Sequence, residues 1–87
     1  MVSKNVVVKN KSGLHARPAS ELARTAIKCN SDVTIKVGER KINPKSILNL
    51  MAAAIKCGTE ITVECTGDTE VEDLNAIVSS IENGLGE

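Results

Sequence analysis

The sequence predicts an α+β domain in which an antiparallel sheet carries three helices on one face. Two periodicities predict it. In two short segments apolar residues alternate with polar ones, and in two longer segments apolar residues recur every three or four positions. A β-branched first segment, a short return strand after a turn and a capped apolar segment complete the pattern. The segments follow in the order βαββαβα, and amphipathic elements of both kinds bury their apolar faces against each other in two layers. With 87 residues, the chain is expected to form one domain over 1–87.

The first strand and the first helix are joined by a short polar loop. Val2 to Val8 is rich in β-branched residues, which predicts a strand. The loop ends at Gly13, and from Ala16 to about Asn30 the apolar period is helical. The predicted buried stripe of this helix is Ala16, Ala19, Leu22, Ala23, Ala26 and Ile27.

A β-hairpin and a second helix are predicted next. Val33 to Val37 alternates apolar and polar residues, and a two-residue turn leads to a return strand from Arg40 to Ile42. Ser46 can cap a helix that runs from Ile47 to about Lys56.

The last third of the chain predicts one more strand and one more helix. Ile61 to Cys65 alternates apolar and polar residues. The spacing of Thr69 and Glu72 is that of a capping box, and the helix that it opens ends at Asn83-Gly84. The predicted stripe is Val71, Leu74, Ile77, Val78 and Ile81.

The composition argues against several classes of function. Eleven basic and eleven acidic residues give no net charge, and Phe, Tyr and Trp are absent, which disfavours binding of nucleic acid. No apolar run reaches the roughly 20 residues of a spanning helix, and Met1 to Asn10 lacks the apolar core of a signal peptide, so we expect a cytoplasmic protein. Cys29, Cys57 and Cys65 lack metal-ligand spacing; we interpret them as reduced, packed thiols, with a redox or metal role as the alternative.

His15 is the only histidine and lies at the predicted start of the first helix. Free N–H groups at a helix start bind anions, and a neutral imidazole has the lone pair that a nucleophile needs. Arg17 can clamp phosphoryl oxygens. With Gly13 before the ring and Pro18 in the first turn, this spacing favours a phosphoryl-accepting histidine over a surface cap without function.

The segment Gly13-Leu14-His15-Ala16-Arg17-Pro18-Ala19 resembles the phosphorylation site of HPr, the carrier of the phosphoenolpyruvate-dependent sugar phosphotransferase system. The lengths of the intervals fit over the whole chain. The resemblance implies an open-faced β-sandwich with sheet order 1-4-2-3. It also implies that His15 is phosphorylated on Nδ1 by enzyme I and passes the group to sugar-specific enzyme IIA proteins, with Arg17 as the clamp. Such a carrier is a protein substrate and not an enzyme, and we expect a monomer without metal, cofactor or membrane insertion.

The second predicted helix is apolar nearly all round, although only one face can be buried on an open sheet. Leu50, Ala54 and Ile55 suit the core. Three residues would then remain partly exposed as an apolar patch: Ile47, Leu48 and Met51. The pattern alone leaves ordinary core packing open, and the resemblance implies that this patch contacts partners.

A polar face of the first helix lies beside that patch. Ser20, Arg24 and Lys28 share it with Arg17, and a basic rim of this kind would steer acidic partners. A solvated surface without function is the alternative.

Ser46 has two interpretations. It can be a helix cap, or it can be the serine that an ATP-dependent HPr kinase/phosphorylase modifies in Gram-positive HPr proteins. Lys45-Ser46-Ile47 matches that site, while Pro44 stands where the family leads us to expect Leu. By resemblance, the modified form would bind catabolite control protein A, with no direct contact to nucleic acid.

Two other functions remain as alternatives. A regulatory HPr-like protein without carrier activity would have the same fold, but members of that kind lack the active histidine, which is present here as His15. A small nucleic-acid-binding α/β domain is disfavoured by the neutral charge. Membership of a sugar or a nitrogen-related branch stays open.

Overall fold

The computed structural model describes residues 1–86 and has the element order expected from the sequence. The strands are β1 (Val2–Val7), β2 (Asp32–Val37), β3 (Arg40–Ile42) and β4 (Glu60–Thr66). The helices are α1 (Ala16–Ile27), α2 (Ile47–Ala52) and α3 (Glu70–Glu82). The type and order of the predicted elements are confirmed, and the main difference in length is α2, which ends four residues early.

The four strands form one antiparallel sheet in the order β1-β4-β2-β3. At its centre, Val63 of β4 lies opposite Lys4 of β1 and Ile35 of β2. Buried Ile61 and Val63 alternate with partly exposed neighbours along β4, so one face of the sheet is covered by the helices and the other is open. This confirms the predicted α+β fold and its 1-4-2-3 sheet.

The core between sheet and helices is entirely aliphatic apart from two thiols. Leu22 of α1 and Ile77 of α3 are fully buried. Three residues of the predicted stripes are exposed instead: Ala16, Ile27 by 62% and Val71 by 56%. Ile27 follows buried Ala26, and one step along a helix turns the side chain by about 100°, out of the buried stripe.

The cysteines divide into two groups, and all three are free thiols. Cys29 and Cys65 are buried, and this burial raises the pKa of both, to about 11 for Cys65. Such thiols stay protonated and pack as small apolar groups, as expected. Cys57 is also a free thiol, but the expected packing is wrong for it, because it is exposed in the turn before β4. Within residues 1–86, no acidic, Cys and His cluster could hold a metal ion, and no helix is long and apolar enough to cross a membrane.

The predicted capping box at α3 does not form. The hydroxyl of Thr69 donates to Asp73 at 2.7 Å, and Glu70, not Glu72, accepts the N–H of Gly67 at 3.2 Å. Asp73 also accepts from Ser31, in the loop between α1 and β2. These hydrogen bonds, with that of the Ser31 hydroxyl foremost, hold the pKa of Asp73 below its usual value. The acidic side chain ties α3 to the α1–β2 loop.

Candidate functional site

His15 is the N-cap residue of α1. Its backbone is extended (φ −82°, ψ −172°), and its carbonyl accepts the first helical hydrogen bond, from Ala19 at 2.9 Å. The residue is exposed, and its side chain makes no capping hydrogen bond. The imidazole is therefore not used to hold the helix and is accessible to a reaction partner.

Pro18 removes one of the two N–H groups that a side-chain cap of α1 could use. It occupies the third helical position, whose N–H is a usual partner of an N-cap side chain, and proline has no N–H. The N–H groups of Ala16 and Arg17 have no acceptor in the described chain. Two backbone donors therefore remain available next to the His15 ring, an arrangement that suits an anion.

The loop before His15 packs tightly on the segment after α2. Gly13 has a φ of +66°, and a Cβ built there would lie 2.3 Å from the carbonyl oxygen of Ile55. The N–H of Leu14 donates to the same oxygen at 2.9 Å. Only glycine fits this contact, so close approach explains Gly13 in addition to the conformational freedom inferred from the sequence.

His15 and Met51 line one groove of about 380 Å³, which Ser12 and Lys56 also line. The sequence analysis assigned no role to Lys56, because it placed this residue inside a longer α2. The helix ends at Ala52, and Ala54 has a left-handed backbone (φ +53°) that turns the chain back toward His15.

The same early end corrects one predicted core residue. Ala54 is exposed and lines the groove with His15, while Ala53 is buried in its place. Because Ala54 leaves the helical conformation, the helical spacing that assigned it to the core no longer applies. Leu50 and Ile55 are buried as expected.

The apolar patch predicted on α2 is exposed to solvent. Ile47 is 41% exposed, Leu48 80% and Met51 44%, whereas Leu50 between them is fully buried. Exposed apolar side chains grouped in this way are typical of surfaces that contact other proteins.

The polar face of α1 meets this patch on its other side. Ser20, Arg24 and Lys28 line a shallow groove of about 270 Å³ together with Ile47, and exposed Ile27 lines it as well. Arg24 forms an ion pair with Glu21 at 3.3 Å, which offsets part of the basic charge that was expected there.

Arg17 is exposed and lines neither of these two grooves. It makes no ion pair within residues 1–86. Its guanidinium is therefore free to approach a group attached to His15, two residues earlier in the chain.

Ser46 is the N-cap of α2, as predicted. Its Oγ accepts the N–H of Asn49 at 3.2 Å, and its own N–H donates to the Asn43 carbonyl at 3.1 Å. The preceding Lys45 donates to the carbonyls of Ser31 at 3.2 Å and Cys29 at 3.5 Å. These bonds attach the start of α2 to the end of α1.

Comparison with known proteins decides the family. The profile of the family described as "PTS HPr component phosphorylation site" matches residues 2–83. The chain belongs to the HPr family. It is 47% identical over 77 residues to the phosphocarrier protein HPr of Mycoplasma capricolum, which covers 88% of this chain and 86% of the relative. It also matches a crystal structure of HPr from Thermoanaerobacter tengcongensis with a TM-score of 0.94 and 37% identity, covering 100% and 98% of the two chains.

The HPr fold is shared with a protein called Crh. A crystal structure of Bacillus subtilis Crh, described as a catabolite repression protein that forms a dimer with a swapped domain, matches with a TM-score of 0.76 and 37% identity. The match covers 97% of each chain. The HPr family provides phosphocarriers of the phosphotransferase system, so the partners of this chain belong to that system in general.

Proposed function

We propose that this chain carries phosphoryl groups for sugar uptake, accepting them from phospho-enzyme I on Nδ1 of His15 and passing them to enzyme IIA proteins. The observation that carries the proposal is the start of α1. An exposed imidazole without a hydrogen bond of its own stands there beside the free N–H groups of Ala16 and Arg17. Donors of this kind stabilise the negative oxygens of a phosphoryl group, both during transfer and once it is attached.

The chemistry asks little else of the chain. Transfer between two histidines breaks one N–P bond and forms another, so positioning and charge balance matter more than new chemical groups. The ring of His15 supplies the attacking lone pair, and the free guanidinium of Arg17 binds the phosphoryl oxygens. The chain acts as a protein substrate, and the proposal requires neither metal nor cofactor.

We propose that partner proteins bind the surface between the groove with His15 and the groove with Ser20 and Arg24. Partners would cover the apolar patch of Ile47, Leu48 and Met51, and Ser20 and Arg24 would contact their polar edge. Because Met51 and His15 line the same groove, a partner seated on the patch places its own active group next to the His15 ring.

Ser46 is proposed as a regulatory phosphorylation site. An HPr kinase/phosphorylase would modify its half-buried hydroxyl, next to Ile47 of the patch, and the product would bind catabolite control protein A. We further propose that residues 1–87 act as one cytoplasmic domain, and that the domain is a monomer. Light scattering tests the last point, and a stable dimer would contradict it.

The similarity to Crh favours a second candidate, a regulatory HPr-like protein that acts through Ser46 alone. Incubation with phosphoenolpyruvate and enzyme I separates the two. We expect an acid-labile phosphate on the wild-type chain and none on His15→Ala. If an active enzyme I, checked with a known HPr, leaves the wild-type chain unlabelled, the carrier proposal is wrong and the regulatory candidate remains.

A further inference from the structure

We propose that Asn10 is a positioning residue for the reaction at His15. Its side-chain amide holds the peptide bond between Gly13 and Leu14. The orientation of this peptide determines how the His15 imidazole points into the groove that it lines with Met51. The inference rests on the phosphocarrier function proposed above and adds to it a residue that the sequence analysis treated as part of a polar loop.

Asn10 closes the loop that precedes His15. It is only 5% exposed, and its Nδ2 donates to the carbonyl of Gly13. In the opposite direction, the N–H of Gly13 donates to the carbonyl of Asn10 at 3.0 Å. Two hydrogen bonds therefore join the first and last residues of the loop and leave it little freedom to change shape.

The Gly13–Leu14 peptide is held at both of its polar ends. Its carbonyl accepts from Asn10, and its N–H donates to the carbonyl of Ile55 at 2.9 Å. A Cβ on Gly13 would collide with that same Ile55 oxygen. With both ends bound, the plane of this peptide cannot rotate without breaking a buried hydrogen bond, and His15 is the next residue after it.

No capping hydrogen bond fixes the direction of the His15 ring, and Pro18 offers no N–H at the third helical position. The path by which the chain enters α1 therefore depends on the loop between Asn10 and Leu14. Removal of the Asn10 donor frees one end of the peptide and lets the ring tilt away from the groove.

The remaining atom of the amide argues for a functional reason. Oδ1 of Asn10 is buried and has no hydrogen-bond partner within residues 1–86. A buried oxygen without a partner lowers stability, and reversing the amide would place this oxygen against the carbonyl of Gly13. Asn10 is therefore a poor choice for stability alone, and local compromises of this kind occur where a protein works.

The test is the kinetics of phosphoryl transfer from phospho-enzyme I to four variants. Asn10→Asp keeps the shape and replaces the donor by an acceptor, and Asn10→Ala removes both without adding charge. Asn83→Asp makes the same chemical change at an exposed residue, and Ile77→Val weakens the core away from the loop. Circular dichroism and thermal melting establish that each variant is folded and how far its stability falls.

We expect kcat to fall by about 10- to 100-fold in both Asn10 variants, since a small misplacement of reacting atoms has effects of this size. KM should stay within about twofold, because the apolar patch is untouched. Both controls should keep the wild-type kcat. An unchanged kcat in either folded Asn10 variant, a loss confined to KM, or an equal loss in Ile77→Val would overturn the inference. Since wild-type labelling is measured first, its absence would refute the carrier function itself, which is a separate result.

Discussion

Helices α1 and α2 contact each other, but their N-termini are stabilised in different ways. At α2, Ser46 accepts the N–H of Asn49, so the cap serves the helix. At α1, His15 makes no such bond, and Pro18 removes one of the N–H groups that a cap could use. The Ser46 hydroxyl thus accepts a hydrogen bond from its own helix, whereas the His15 imidazole does not. The difference shows that one helix start is completed within the chain, while the other leaves its ring and its donors for an incoming group.

The two starts also differ in what holds them. The six residues of α2 are too few to be stable alone, so its start depends on the Ser46 cap and on Lys45. The twelve residues of α1 are stabilised by their buried stripe, and the open start is supported from outside by the contact of Gly13 and Leu14 with Ile55. At α1, the residues that stabilise the helix are therefore different from the residue proposed to react, His15.

The largest expected effect is the complete loss of phosphorylation at one helix start while phosphorylation at the other continues. His15→Ala should lose all labelling by phosphoenolpyruvate and enzyme I and keep labelling by an HPr kinase with ATP, while Ser46→Ala should show the reverse. Mass spectrometry after acid treatment distinguishes the labels, since phosphoserine survives acid and phosphohistidine does not. Labelling of His15→Ala by enzyme I would break the comparison.

The next effect shows how fast phosphoryl transfer proceeds at the start of α1 when the Arg17 guanidinium is removed. Arg17→Ala should slow transfer by about 10- to 1,000-fold, the range seen when one donor to a developing anion is removed. Stability should not change, since Arg17 makes no ion pair in the described chain. Stopped-flow transfer rates test this. Rates within about twofold of wild type would mean that the backbone donors alone are enough.

Substitutions in the patch test whether the start of α2 serves docking. Met51→Glu or Ile47→Glu should weaken binding of enzyme I by about 1–3 kcal/mol, as expected for a central interface contact. Both side chains are already more than 40% exposed, so melting temperatures should change little. Calorimetric titration gives the affinity. If these variants unfold, the side chains belong to the core and the docking assignment fails.

A negative charge at Ser46 should interfere with docking and leave the chemistry intact. Asp is a good N-cap, so Ser46→Asp should keep its melting temperature, whereas Ser46→Ala should lose about 0.5–2 kcal/mol with the cap. In Ser46→Asp, KM for enzyme I should rise several-fold, and the rise should shrink at high salt to the extent that it is Coulombic. A reduced kcat with an unchanged KM would instead connect Ser46 to the geometry of His15.

The smallest effect is expected at Lys56, the cation that lines the groove with His15. Lys56→Ala should slow transfer by about two- to fivefold at low salt and have almost no effect at high salt, because an exposed charge is screened. Lys11→Ala, an exposed lysine of the preceding loop that does not line this groove, is the matched control. Equal effects of the two substitutions would mean that Lys56 contributes only to the overall charge and has no specific role in the groove.

The parts of the fold that local patterns determine could be predicted from the sequence. Alternation, helical spacing, β-branched content and turn and cap signals together located all seven elements, and the bounds of β3 and the caps at His15 and Ser46 agree with the structure. The left-handed turn at Ala54 could not be predicted, because an alanine carries no local signal for positive φ. The early end of α2 and the position of Lys56 were missed for the same reason.

Other features depend on contacts between distant segments. The spacing of Thr69 and Glu72 fits a capping box, yet Asp73 binds both Thr69 and Ser31, which lies 42 residues away. Asn10 belongs to a polar loop that was expected to be exposed, yet it is buried, and this loop contacts Ile55 through Gly13 and Leu14. The sequence identified the residues of the candidate site but not the contacts that hold them.

An aliphatic core has a practical consequence for observing this molecule. Since Phe, Tyr and Trp are absent, the imidazole of His15 is the only aromatic ring in the chain. In heavy water, its carbon-bound protons are the only aromatic signals in a simple proton magnetic resonance spectrum, and no neighbouring ring current shifts them. The candidate acceptor therefore reports on its own chemical state, in the unlabelled and unmodified protein, while the transfer takes place.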